Sequence, residues 1–102
     1  DRNQRLDEAR DLITRALNLN PDDAFIMDSM GWVLYRQGKL DEALQALERA
    51  YSLKADPEIA AHLGEVLWKM GREAEARELW ARSLEANPDS DIIRRTQQRF
   101  IP

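Results

Sequence analysis

Met30-Gly31-Trp32-Val33-Leu34-Tyr35-Arg36-Gln37-Gly38 is answered further along by Leu63-Gly64-Glu65-Val66-Leu67-Trp68-Lys69-Met70-Gly71, with both glycine pairs displaced by 33 residues. Working outward from these stretches, the same shift matches Ala43 with Ala76, Leu47 with Trp80 and Ala50 with Ser83. A backward shift of 34 residues matches Ala43 with Ala9, Leu47 with Ile13 and Ala50 with Ala16, and Pro21 and Pro88 fall two periods apart. Self-similarity at this period marks stacked helical hairpins, each packing only on its neighbours. An array of that kind argues for a binding surface and against a catalytic pocket.

Helical periodicity fills in the elements. Residues 4–19 place Leu6, Ala9, Leu12, Ile13, Ala16, Leu17 and Leu19 at the spacing of an amphipathic helix, which Asn20-Pro21-Asp22 ends. Further helices are predicted over 24–37, 41–53, 57–70, 73–86 and 90–100, with Gly38 and Gly71 as left-handed stops. Gly31 and Gly64 fall inside helices, where each costs about 1 kcal/mol relative to alanine. Their recurrence predicts a neighbouring helix passing too close for a β-carbon, with Ala43 and Ala76 as the small residues opposite. The expected fold is all-α: a right-handed superhelical solenoid of antiparallel helix pairs, about six helices in all. Residues 1–22 form the second helix of an incomplete repeat, 23–56 and 57–89 two repeats, and 90–102 a polar capping helix. Because the chain opens partway through a repeat, it reads as a piece of a longer protein.

Composition narrows the function classes. The 102 residues carry a net charge of −4, which argues against nucleic-acid binding, since phosphate contact needs a basic face. No apolar run reaches the roughly 18 residues that span a bilayer, so no direct membrane insertion is expected of this segment. The absence of cysteine removes disulfide and thiol chemistry. His62 is the only histidine, and Glu58 and Glu65 are its helical neighbours. Exposed polar faces produce such stripes by chance, and no nucleophile or glycine-rich phosphate loop accompanies it. Neither a metal, a cofactor nor an enzymatic activity is expected.

The residues Met30-Gly31, Leu34, Ala43, Leu47 and Ala50, and then Leu63-Gly64, Leu67, Ala76, Trp80, Ser83 and Pro88, resemble the tetratricopeptide repeat. Ala9, Ile13, Ala16 and Pro21 look like the second half of a preceding copy. Departures are confined to packing positions: Met27 or Ala60 stands for the usual tryptophan, Leu34 or Leu67 for the usual tyrosine, and the middle repeat is one residue short. The wording of the repeats is also similar to the last repeats of large tetratricopeptide lipoproteins of Gram-negative bacteria. That likeness implies an adaptor on the periplasmic side of the outer membrane, with the cytoplasm as the alternative.

The family resemblance implies that first helices line a concave face where a protein or peptide partner docks. Mapped onto this chain, that face selects Phe25, Asp28, Trp32, Tyr35 and Arg36, then Glu58, Ala61, Glu65, Trp68 and Lys69, and finally Arg95 and Arg99. Trp32 and Trp68 lie outside the assigned packing positions and, with Tyr35, are the expected anchors. Acidic Asp28 and Glu65 at one end and arginines at the other imply a partner of mixed charge. Clamping of a terminal carboxylate, known in the family, is disfavoured because Asp28, Trp32, Ala61 and Glu65 occupy the relevant positions. The alternative reading is structural: the array stiffens its parent or self-associates, with Leu6, Ile13 and Leu17 of the first helix buried between two copies of a homodimer.

Overall fold

The computed structural model describes residues 2–102 and contains six helices: α1 (Arg2–Leu19), α2 (Ala24–Arg36), α3 (Leu40–Leu53), α4 (Pro57–Lys69), α5 (Glu73–Ala86) and α6 (Asp91–Phe100). Asp1, placed by the sequence in the incomplete repeat, lies outside the described residues. Local chemistry sets the boundaries. Asp23 caps α2 by accepting from the backbone N–H of Phe25 at 2.9 Å and Ile26 at 3.0 Å. Asp56 caps α4 by accepting from Glu58 N–H at 2.9 Å, with Pro57 in the first turn, where its missing N–H removes no helical bond. Ser90 Oγ does the same for α6, accepting from Ile93 N–H at 3.3 Å. Helices α3 and α5 lack a side-chain cap and carry Asp41, Glu42, Glu73 and Glu75 in their first turns, which complement the helix dipole.

Both hairpin turns are built alike. Gly38 and Gly71 adopt φ of +82° and +83°, a conformation costly for any residue with a β-carbon. Each lets the chain reverse while Lys39 N–H bonds to Leu34 O and Arg72 N–H to Leu67 O, both at 2.9 Å.

Helix α2 packs on α3, and α4 on α5. The pairs are joined through α1–α2, α3–α4, α4–α6 and α5–α6. Helices α2, α4 and α6 also touch successively, whereas among the described residues α1 and α3 do not meet, nor do α3 and α5. One layer is therefore closer-spaced than the other, and the array curves with α2, α4 and α6 on its inner side. Its dimensions are 35 × 27 × 20 Å.

The core runs along the seam between layers: Leu34, Ala43, Leu44, Leu47, Ala60, Leu63, Val66, Leu67, Ala76, Trp80 and Ile93 are buried in one cluster. The interior glycines mark the closest crossings. A β-carbon on Gly31 would lie 2.5 Å from Leu47 Cγ, and one on Gly64 would land inside the Trp80 indole. Trp80 is fully buried, and its Nε1 has no hydrogen-bond partner among the described residues. The close approach expected at both glycines is thus realised, but the groups that meet them are the large side chains of Leu47 and Trp80 and not the small Ala43 and Ala76 that were expected opposite. Ala43 comes near Gly31 through its carbonyl oxygen, at 3.4 Å.

Candidate partner-binding face

The inner layer presents the face picked out from the sequence, and its residues divide into those offered to solvent and those already consumed. Trp32, half-buried on α2, stacks on the His62 ring of α4 with centroids 4.2 Å apart and planes at 28°. Tyr35, one turn on, tilts against the same indole at 5.0 Å. His62 in turn faces Asp28, with Nδ1 2.8 Å from Oδ1. Opposite a carboxylate that nitrogen carries the proton and donates. Trp32 is therefore a fixed platform, backed by a hydrogen-bonded pair bridging two repeats.

A second bridge lies one repeat further along. Arg99 of α6 donates to Glu65 Oε1 of α4 at 3.3 Å, and the Tyr35 hydroxyl faces the same carboxylate. Burial, the hydrogen bond to Glu65 and its negative charge push the Tyr35 hydroxyl up to about 12, opposed by the nearby Arg99. Asp28–His62 and Glu65–Arg99 each join residues 34 apart, so successive inner helices are riveted at one sequence interval.

These contacts correct the expected charge pattern. Asp28 and Glu65 are each only 6% exposed, and their carboxylates are engaged inside the array rather than displayed on the face. A carboxylate at this depth is strongly penalised without hydrogen bonds, which is why each finds a partner on the next inner helix. Trp68 departs from expectation too. It stacks on Trp80 and lies tilted against Phe100, with centroid distances of 5.9 Å to each, and the Arg77 guanidinium lies over its ring at 5.5 Å. The apolar end of the capping helix recruits it into the core. Lys69 sits over Phe100, 5.7 Å from the ring centroid, at the edge of this cluster.

The remaining positions are open. Arg36 is exposed beside Trp32. Arg95 is exposed on α6, 3.9 Å from an equally exposed Asp91. Glu58 is exposed, Ala61 buried, and Phe25 exposed at the start of α2 with the Lys54 ammonium 5.1 Å from its ring centroid. Two clefts meet at Trp32, one between α1 and α2 and one among α2, α4 and α6. On α1, Leu6, Ile13 and Leu17 are half-buried, while Leu12 and Leu19 are the large apolar residues left out, at 64% and 81% exposure. Helix α2 packs against α1 and leaves Leu6, Ile13 and Leu17 only partly accessible.

Helical pairing, internal glycines and curvature together define a repeat solenoid, and comparison with known proteins names its class. Tetratricopeptide-repeat family models match residues 2–56 and 34–99, so this chain belongs to the tetratricopeptide-repeat family. It is 54% identical over 100 residues to a TPR repeat-containing protein of Pseudomonas aeruginosa, spanning 17% of that protein's length. It is 34% identical over 89 residues to human tetratricopeptide repeat protein 7A, spanning 10% of it. Among solved structures it superposes on a thermophilic TPR protein of Thermus thermophilus with a TM-score of 0.86 at 31% identity, covering 95% of this chain and 50% of that one. A MamA structure shares the fold at a TM-score of 0.73 and 22% identity, covering 85% of this chain and 51% of its own.

Proposed function

We propose that this chain is a protein-interaction module whose inner face of α2, α4 and α6 docks a polypeptide partner, as the terminal part of an adaptor or scaffold. The observation that carries the reading is Trp32, a half-exposed indole at the junction of two clefts, held in place by His62 and Asp28. Rigid, partly exposed aromatic side chains give large contact area at small entropic cost. The two buried carboxylates beside it, Asp28 and Glu65, are both engaged, so the platform is preorganised. Placement of the parent protein on the periplasmic side of an outer membrane belongs to the same proposal and is supported by the sequence likeness alone.

Affinity capture from a lysate, comparing the chain with Trp32→Ala/Arg36→Ala, tests it. The variant is expected to stay folded by circular dichroism, with a thermal midpoint lowered by loss of the ring contacts to His62 and Tyr35, and to lose the captured partner. Equal capture by both would move partner binding away from this face.

The structural alternative has its own observation in Leu12 and Leu19, exposed and seven residues apart on α1. Two copies would bury these rather than Leu6, Ile13 and Leu17. Sedimentation analysis of Leu12→Gln/Leu19→Gln tests it: a dimer that this variant abolishes supports self-association, and a monomeric parent chain excludes it.

A further inference from the structure

We propose that the partner segment taken by this face is acidic, with carboxylates pairing to arginines that ring Trp32 and an apolar or aromatic residue seated on the indole. The proposal rests on the reading of the inner face as the docking surface and specifies its ligand. The cleft between α1 and α2, about 600 Å³, has Arg5 and Arg36 as its charged lining. The cleft among α2, α4 and α6, about 220 Å³, has Arg95 and Arg99 on its wall. Trp32 lines both, so four guanidinium groups surround one aromatic platform.

Among the described residues, counter-charge on this part of the face is already spent. Glu65 is the one acid among them that lines either cleft, and it is buried against Arg99 and Tyr35. Asp28, behind the platform, is occupied by His62. Arg99 uses one of its five N–H donors on Glu65 and remains 62% exposed. Asp91, the acid nearest Arg95, forms an exposed pair of the kind that contributes little. Acidic residues gather instead beyond Ile92, where Asp56, Glu58 and Asp89 line a separate depression. A chain of net charge −4 thus displays a basic patch around its aromatic anchor. Arginine forks match carboxylates in geometry as well as sign, which favours an acidic segment over a neutral or basic one.

Selection of a random dodecapeptide library on the chain, followed by fluorescence anisotropy of the most enriched peptide carrying fluorescein, tests this. Selected peptides are expected to be enriched in Asp and Glu. The best of them should bind at least about tenfold more weakly to Arg36→Glu/Arg95→Glu, and more weakly again as NaCl rises from about 50 to about 500 mM. Both arginines are exposed, and circular dichroism checks that the variant stays folded; Arg36→Gln/Arg95→Gln gives the same direction with a milder change. Neutral or basic peptides that need Trp32 would overturn the acidic assignment and leave the docking face standing. Acidic peptides indifferent to Trp32→Ala and to charge reversal, or no enriched peptide at all, would overturn both. Self-association lost in the charge-reversed variant would make a second copy the occupant and also overturn it.

Discussion

Asp28 Oδ1 and His62 Nδ1 stand 2.8 Å apart across the interface between two repeats, and the His62 ring carries Trp32 stacked on its other side. The pair joins packing to function, because the side chain that aligns α4 against α2 also holds up the exposed indole.

Removing either partner leaves the other buried and unsatisfied. Asp28→Ala and His62→Ala are each expected to cost about 1–3 kcal/mol in urea unfolding. The double variant should cost less than the sum, by about 0.5 kcal/mol or more. Additive losses would mean that the two side chains do not support one another in solution.

Gly64→Ala sets helix propensity against packing. Alanine gains about 1 kcal/mol as a helix former, yet its β-carbon would fall within the Trp80 indole, a rigid group with no room to withdraw. The expected net result is destabilisation by about 1–3 kcal/mol. Trp80→Leu, which copies the residue opposite Gly31, should reduce the penalty of Gly64→Ala. An unchanged penalty in that background would show that the glycine is required for another reason.

Tyr35 makes stability fall at alkaline pH. Its hydroxyl, raised from the usual 10 to about 12 by burial and by Glu65, keeps its proton in the folded chain after the unfolded chain has lost it. This contribution is complete below pH 10 and is lost as pH rises from about 10 to about 12. Thermal midpoints of the parent chain and Tyr35→Phe should therefore converge through that window. Absorbance at 295 nm should show a late phenolate transition that Tyr35→Phe removes.

Phe100 ties the last helix to the rest. Its ring stacks on Trp80 at 5.8 Å and meets Trp68 at 5.9 Å. Phe100→Ala is expected to cost about 1–2 kcal/mol, less than a fully buried phenylalanine because this ring is half-exposed. Tryptophan emission should shift to the red as water reaches Trp68. Unchanged emission would mean that α6 holds its position without this contact.

Much of this molecule is legible from residue order. The glycine interval, the stops at Gly38 and Gly71 and the close helix crossings at Gly31 and Gly64 follow from helix period and residue size, which are local or repeat at a constant step. That Leu47 and Trp80, and not Ala43 and Ala76, would meet the glycines did not follow. The helices observed agree with those expected to within a residue or two at most ends. The face itself was legible less well. Asp28 and Glu65 read as displayed acids because nothing along the chain announces that His62 and Arg99, 34 residues away, will reach back to them. Trp68 read as a groove anchor because it lies outside the repeat's packing positions, and the seating of Phe100 beside Trp80 draws it into a cluster.

Period and residue size, which are properties of the chain's order, determined the helices, their pairing and their closest crossings. The sign of the inner face, the exposure of Trp32 and the engagement of Glu65 were decided by tertiary structure. Those depend on which side chains from successive repeats meet in a low-dielectric interface, where an unpaired carboxylate is penalised and a paired one disappears from the surface.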